Sequence, residues 1–135
     1  MRIAIIYSPK HRKLESTAKK LGKTLESGGH HIEYLPISKT DRPPNIGRYD
    51  FVYVGSVAEG TFGGKVPTAV TEYLKQCRGL QSVKSATFMI KRFMGNTKGL
   101  KRLMGVLENM GSQVMDFQTI GHESDVERLG KRLRR

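Results

Sequence analysis

Short strand-like segments alternate along the chain with segments whose apolar residues recur at helical spacing. The clearest strand candidate, Arg2–Tyr7, is an apolar run with β-branched residues and no turn former, which predicts a buried strand. The same reasoning predicts four more strands, at His31–Leu35, Asp50–Gly55, Ser85–Ile90 and Gln113–Ile120. Strands that alternate with helices are typical of a parallel sheet with both faces covered.

The segments between and after these strands predict helices. Their apolar positions at helical spacing run from Leu14 to Leu25, Val66 to Cys77, Leu100 to Met110 and Val126 to Leu133. Gly28 and Gly111 are natural stops for the first and third helices, and Gly79 is expected to close the second. Pro67 suits the first turn of the second helix, where the missing N–H is tolerated.

This order of elements predicts an α/β fold. We expect one domain over residues 1–135, a three-layer doubly wound sandwich around a five-stranded parallel sheet in the order 2-1-3-4-5. Ligands of such sheets bind in the crevice at the carboxyl ends of strands one and three. No internal repeat, low-complexity tract or linker divides the sequence.

Composition narrows the setting. No apolar stretch approaches the length of about 18 residues that a membrane span needs. The segment from Met1 to Tyr7 is too short and wrongly flanked for a signal peptide. A single cysteine, Cys77, excludes an internal disulfide and fits a reducing compartment. We therefore expect a cytoplasmic protein without a membrane partner.

Charge is the unusual feature of the composition. Lys and Arg number 24 against 12 Asp and Glu, which leaves a formal net charge of +12. A field of this size attracts anions such as phosphorylated small molecules, nucleic acid or acidic proteins, although surplus lysine also serves solubility alone.

Several common chemistries are absent from the pattern. The dinucleotide fingerprint G-x-G-x-x-G does not follow the first strand. Gly60–Val66 differs from a P-loop, because Val66 stands where a hydroxyl residue would contact magnesium. Ser8 and Gly55 occupy the strand ends where a phospho-receiver would carry metal-binding acids. No Cys/His set has zinc spacing, and no side chain stands out as a catalytic acid, base or nucleophile.

Particular segments resemble a known family. Arg2–Ser8 looks like the opening strand of flavodoxins, and Asp50–Ser56 resembles their third strand as it enters the loop beside the flavin ring. Pro67 to Leu74 is similar to the helix that follows, and Met110–Val114 to the later helix–glycine–strand step. The resemblance implies an FMN-binding flavoprotein of flavodoxin or FMN-dependent reductase type, acting as an electron carrier or an oxidoreductase.

The loop expected to hold the FMN phosphate departs from the family pattern. Flavodoxin-like proteins use small hydroxyl residues around a glycine there, whereas Arg12 falls about where the glycine is expected and Leu14 where a threonine is expected. A non-glycine residue held in the left-handed region costs roughly 1–2 kcal/mol. The loop residues that the resemblance assigns to the phosphate are Ser8, Lys10, His11, Arg12 and Lys13.

Two interpretations of this loop stay open. In the first, the basic side chains replace the hydroxyls through charge-assisted hydrogen bonds to phosphate. In the second, the phosphate site is lost and the charges face water. A helix capped early by Ser8 and Pro9 would shorten the loop and favour the second.

The resemblance also assigns two loops to the flavin ring. Phe62 or Phe93 would stack on the ring. The other residues expected along it are Ser56, Val57, Ala58, Glu59, Gly60 and Gly95.

The predicted strand order gathers basic residues at one edge of the sheet. They are Lys10, Arg12, Lys13, Lys65, Lys91, Arg92 and Lys98, with Lys101 and Arg102 nearby. An electropositive crevice suits FMN or another phosphate-bearing molecule, and a redox partner would then dock through an acidic face. Two alternatives are a flavin-free protein that binds another anion or an acidic partner, and a binder of nucleic-acid backbone. The second lacks aromatic residues among its basic runs.

Reversing two of these charges tests the electropositive crevice. We expect the Arg12→Glu/Arg92→Glu double variant to lose anion binding. The two cations would lie in loops that follow neighbouring strands, so both would contribute to the positive potential of one sheet edge. Calorimetry with inorganic phosphate measures the binding, and unchanged affinity in the double variant would contradict the hypothesis.

Overall fold

The computed structural model describes residues 1–38, 42–59, 64–92 and 96–133. Within these ranges the elements run β1 (Arg2–Tyr7), α1 (Arg12–Ser27), β2 (His31–Pro36), β3 (Phe51–Val57), α2 (Thr68–Gln76), β4 (Lys84–Ile90), α3 (Asn96–Asn109), β5 (Gln113–Ile120) and α4 (Glu123–Lys131). Short 3₁₀ helices at Ile46–Arg48 and Leu80–Ser82 lie in two of the connections.

The strands form one parallel sheet in the order β2-β1-β3-β4-β5. This confirms the predicted strand order and the doubly wound α/β class. β1, β3 and β4 are adjacent in the sheet, with Ile6 paired to Val54 and Val57 paired to Ile90 near their carboxyl ends. The loops that follow these three strands therefore share one edge of the sheet.

Helices cover both faces because each central strand is apolar on both sides. In β1, Ile3 and Ile5 pack into a core with α1 and α4, whereas Ala4 and Ile6 pack into a second core with α2 and α3. All four side chains are fully buried. The two-sided burial explains why the central strands read as continuous apolar runs.

Some predicted boundaries shift in the structure. α1 begins at Arg12, before the first apolar position that its pattern showed, because His11 is already extended and serves as the N-cap. α2 ends at Gln76, so the expectation that Gly79 closes it is wrong. Gly79 instead has φ +85, and a Cβ on it would lie 2.5 Å from the Gly47 nitrogen. Glycine is needed there for both the left-handed backbone and the close approach.

Gly55 lets a buried aromatic ring cross the middle of the sheet. It pairs with Phe88 on β4, and a Cβ on Gly55 would lie 2.2 Å from the Phe88 Cζ atom. Phe88 is fully buried, so its ring has little freedom to move away. The missing side chain of Gly55 therefore leaves the space that the Phe88 ring fills, just before both strands reach the sheet edge.

We expect Gly55→Ala to lower the free energy of unfolding by about 2–3 kcal/mol, because the added methyl overlaps the Phe88 ring. Urea unfolding measures the change. Gly105→Ala is the matched control: nothing lies within 4 Å of its Cβ position on α3, so the substitution should be neutral or stabilise by up to about 1 kcal/mol. A Gly55→Ala protein as stable as the wild type would contradict the assigned contact.

Candidate functional site

The candidate site lies where the loops after β1, β3 and β4 meet the carboxyl edge of the sheet. The first loop is short, from Ser8 to His11, and leads directly into α1. Ser8 is half-buried, whereas Lys10 and His11 are exposed. The loop thus presents its basic side chains outward from the end of the sheet.

The amino end of α1 is open to a ligand. His11 has φ −106° and ψ 110°, and its side chain makes no capping hydrogen bond. The first helical bond runs from the Glu15 N–H to the His11 carbonyl at 3.0 Å. The N–H groups of Arg12, Lys13 and Leu14 therefore have no acceptor within the helix, as in the first turn of any α-helix. No other group of the described residues accepts a hydrogen bond from them. These donors, with the positive end of the helix dipole, suit an anion.

The strain expected of this loop is absent. No non-glycine residue in the described ranges has a positive φ. Arg12 is the first helical residue and His11 is the N-cap, so the helix does not start early with Ser8 as its cap. The chain reaches α1 without a left-handed residue and carries no conformational cost of that kind.

The positive charge beside this loop is uncompensated. Lys10, Arg12 and Lys13 have no carboxylate within 4.0 Å among the described residues. The ion pairs of the described residues lie elsewhere: Lys20–Glu123, Arg128–Asp125, Arg132–Asp116, and Glu33 with both Arg2 and Arg48. The basic side chains at the amino end of α1 are free to meet an external anion.

Hollows flank the loop after β1 on both faces of the sheet. One, of about 350 Å³, is lined by Lys10, Ile37 and Ser38 together with α2 residues. Another, of about 410 Å³, separates α1 from the start of α4 and includes Lys13 and His122. The residues predicted to hold phosphate, Lys10 and Lys13 among them, thus border open space on either side.

The loop after β3 begins with a narrow neck. The Glu59 N–H donates to the Lys65 carbonyl at 2.7 Å, and the Lys65 N–H donates back to the Glu59 carbonyl at 3.0 Å. Ahead of the neck, Ser56 is buried and its hydroxyl donates to the Val57 carbonyl at 3.0 Å. The Ser56 hydroxyl is therefore engaged at the end of β3 itself.

The loop after β4 contacts the loop after β3 through an arginine. Arg92 donates a hydrogen bond from Nη1 to the Ala58 carbonyl oxygen. Asn96, the first residue of α3, holds the Arg92 backbone on both sides: its Oδ1 accepts from the Arg92 N–H at 2.7 Å and its Nδ2 donates to the Arg92 carbonyl at 2.7 Å. One side chain thus joins the two loops expected to border a ring.

Searches among known proteins identify the fold through structure rather than sequence. No model of a protein family matches the chain, and no curated protein matches it. The two-electron-reduced flavodoxin of Megasphaera elsdenii superposes with a TM-score of 0.79 and 17% identity, over 96% of this chain and 96% of that one. Oxidised flavodoxin 1 of Bacillus cereus superposes with a TM-score of 0.76 and 15% identity, over 97% and 93%. The chain has a flavodoxin-like fold.

The same fold also matches part of a larger enzyme. Rubredoxin:oxygen oxidoreductase of Desulfovibrio gigas superposes with a TM-score of 0.74 and 17% identity, over 96% of this chain but only 33% of the enzyme. The expected family resemblance is thereby confirmed for the fold.

The flavodoxin-like fold brings most of the predicted site residues to one edge. Ser8, Lys10, His11, Arg12 and Lys13 follow β1 directly, and Ser56, Val57, Ala58 and Glu59 end β3 or follow it. Gly60, Phe62, Phe93 and Gly95 lie outside the described residues. The stacking role of either phenylalanine therefore stays a prediction.

Sequence reasoning placed Arg92 at the basic edge but did not find its acceptor. The Ala58 carbonyl is a backbone group 34 positions away, and no residue type signals it. The reciprocal hydrogen bonds between Asn96 and the Arg92 backbone were not predicted either. A polar residue four positions after an arginine is the only local signal of that arrangement.

The connection from β5 to α4 is held by hydrogen bonds to the Asp125 side chain. Asp125 Oδ2 accepts from the Gly121 N–H at 2.8 Å and the His122 N–H at 2.9 Å, and Asp125 also pairs with Arg128. These bonds fix the start of α4, so this part of the edge serves the fold. In the described residues no group of three His, Cys, Asp or Glu side chains could hold a metal, and no helix there is long and apolar enough to cross a membrane.

The Asp125 carboxylate predicts an acid-sensitive contribution to stability. The hydrogen bonds from Gly121 and His122 lower the pKa of Asp125 from 3.8 to about 2. Because the pKa is lower in the folded state, the ionised carboxylate stabilises the protein fully above the unfolded pKa. This stabilisation is lost as the pH falls from about 4 to about 2.

We expect Asp125→Asn to unfold more easily than the wild type at pH 7, by about 1–2 kcal/mol. The difference should shrink between pH 4 and pH 2, because protonation removes the same charge from the wild type. Urea unfolding of both proteins across this range measures it, and a difference independent of pH would refute the assignment.

Proposed function

We propose that this chain binds FMN at the carboxyl edge of its sheet and serves in electron transfer. The observation that carries the proposal is the uncapped amino end of α1, which follows the loop after β1 on a flavodoxin-like fold. The cations around it pair with no carboxylate of the described residues. A phosphate group matches both features, since it accepts several hydrogen bonds and carries negative charge.

In the phosphate half of the site, basic side chains would bind the FMN phosphate in place of the usual hydroxyl groups. The backbone N–H groups of Arg12 and Lys13 would hold phosphate oxygens. The Ser8, Lys10, His11, Arg12 and Lys13 side chains would add hydrogen bonds and charge from around the loop. Charge-assisted bonds are roughly twice as strong as neutral ones, which offsets the loss of hydroxyl donors.

The ring half of the site would be built from the other two loops. The segment from Ser56 to Gly60 would run along the flavin ring, with Gly95 beside it and Phe62 or Phe93 stacking on its face. When bound, the flavin supplies the electron-transfer chemistry. The protein's part is to bind it, orient it and exclude water from one face.

The Cys77 thiol is not part of the proposed chemistry. Burial raises the pKa of the Cys77 thiol to about 12, and the thiol donates to the Tyr73 carbonyl. The thiol is therefore protonated at neutral pH and is a poor nucleophile. A basic edge beside the flavin would favour a redox partner with an acidic docking face, because opposite charges speed encounter.

The first experiment is a visible spectrum of the purified protein, followed by titrations with FMN and riboflavin monitored by fluorescence quenching. We expect FMN to bind at least about 100-fold more tightly than riboflavin, because riboflavin lacks the phosphate that the α1 end would hold. Equal affinity for the two flavins would contradict the phosphate site. A colourless protein that binds neither would overturn the proposed function and direct attention to other phosphate-bearing ligands.

A matched pair of variants locates the phosphate. Arg12→Gln/Lys13→Gln removes two charges from the first turn of α1, and Lys19→Gln/Lys23→Gln removes two from later turns of the same helix. We expect the first pair to weaken FMN at least tenfold and leave riboflavin unchanged, whereas the control pair should leave both unchanged. Equal effects of the two pairs would indicate a general charge effect without a local site.

A further inference from the structure

Arg92 differs from the other cations of this edge because its side chain spans two loops. Its Nη1 donates to the Ala58 carbonyl, which directly follows β3, while Arg92 itself follows β4. The remaining cations named at this edge project from single loops or helix turns, and none makes a side-chain hydrogen bond within the described residues. The guanidinium is therefore held between the loops after β3 and β4.

The position of Arg92 is fixed from α3. Asn96 binds both the N–H and the carbonyl of Arg92, each at 2.7 Å. α3 in turn packs closely on this region: a Cβ on Gly99 would lie 2.8 Å from Met89 Sδ and 3.1 Å from the Ala58 Cβ. The acceptor of the guanidinium and the helix that holds its backbone thus belong to one packed unit.

The charge of Arg92 has no counterion in the described residues. A guanidinium carries five N–H donors in a planar fork, and one of them serves the neutral Ala58 carbonyl. No carboxylate of the described residues lies within 4.0 Å of it. Its other donors and its full charge remain available to a ligand between the two loops.

We propose that Arg92 makes this site hold reduced FMN more tightly than oxidised FMN. The inference rests on the proposed function, in which the flavin ring lies between the loops that Arg92 joins. Two-electron reduction by an external reductant adds two electrons and one proton to the ring, so the ring gains one negative charge. A cation fixed beside the ring stabilises that product more than the neutral reactant.

By thermodynamic linkage, tighter binding of the reduced form raises the reduction potential of the bound flavin. The effect requires a charge in a constant position: the bond to the Ala58 carbonyl holds the guanidinium, and the Asn96 bonds hold the Arg92 backbone. Arg92 is thus a residue that sets the redox preference of the site, separate from the cations at the α1 end that would hold the phosphate.

The test compares Arg92→Gln, Arg92→Lys and, as a matched control, Arg78→Gln. Arg78 is exposed in the connection before β4, at the opposite edge of the sheet, and its side chain pairs with no carboxylate of the described residues. Fluorescence quenching measures the affinity for oxidised FMN. Dithionite titration against a reference dye measures the midpoint potential, and the two together yield the affinity for reduced FMN.

We expect Arg92→Gln to weaken reduced FMN at least tenfold more than oxidised FMN, a fall of about 30 mV for the two-electron couple. Arg92→Lys should keep most of the preference because it keeps the charge, and Arg78→Gln should leave the potential unchanged. Arg92→Met, which keeps the apolar stem without the charge, gives a second neutral variant if the glutamine variant folds poorly.

The outcomes separate this inference from the proposed function. If the wild type binds FMN and neither neutral variant lowers its potential relative to Arg78→Gln, the role of Arg92 is overturned while FMN binding stands. If the wild type binds no FMN, both are overturned.

Discussion

Parallel pairing of β1, β3 and β4 in the middle of the sheet is the constraint on which the rest of the molecule depends. Parallel strands need crossover connections, and those crossovers place helices on both faces. They also bring every strand's carboxyl end to the same edge. The two cores and the convergence of three loops are consequences of that single arrangement.

The proposed phosphate site at the amino end of α1 lacks the small residues that the family resemblance led us to expect. A loop of hydroxyl and glycine residues offers close backbone approach, whereas the loop from Ser8 to His11 offers charge. Arg12 is helical and needs no left-handed backbone. The loop therefore carries no cost in backbone strain among its described residues, and the phosphate recognition proposed for it would be more sensitive to salt.

The loops after β3 and β4 differ from the loop after β1 because hydrogen bonds to backbone groups hold them in place. The Glu59–Lys65 neck closes the loop after β3 on itself, and the Arg92–Ala58 hydrogen bond ties the loop after β4 to it. Gly99 lets α3 approach Ala58 closely enough to support both. Rigid support of this kind is what a binding site requires if a charge is to act on a ligand from a constant position.

Local pattern was sufficient to determine the order of strands and helices, because periodicity and turn residues are properties of neighbouring positions. Handedness rules left few topologies open, and the doubly wound order predicted among them placed Lys10, Arg12 and Arg92 at one edge of the sheet. The N-cap at His11, the crossing of Phe88 over Gly55 and the bond from Arg92 to Ala58 were decided only in the tertiary structure. The last two join residues more than 30 positions apart, and one of the groups involved is a backbone carbonyl that every residue possesses. No pattern of residue types can reveal such contacts, because they depend on which surfaces packing brings together.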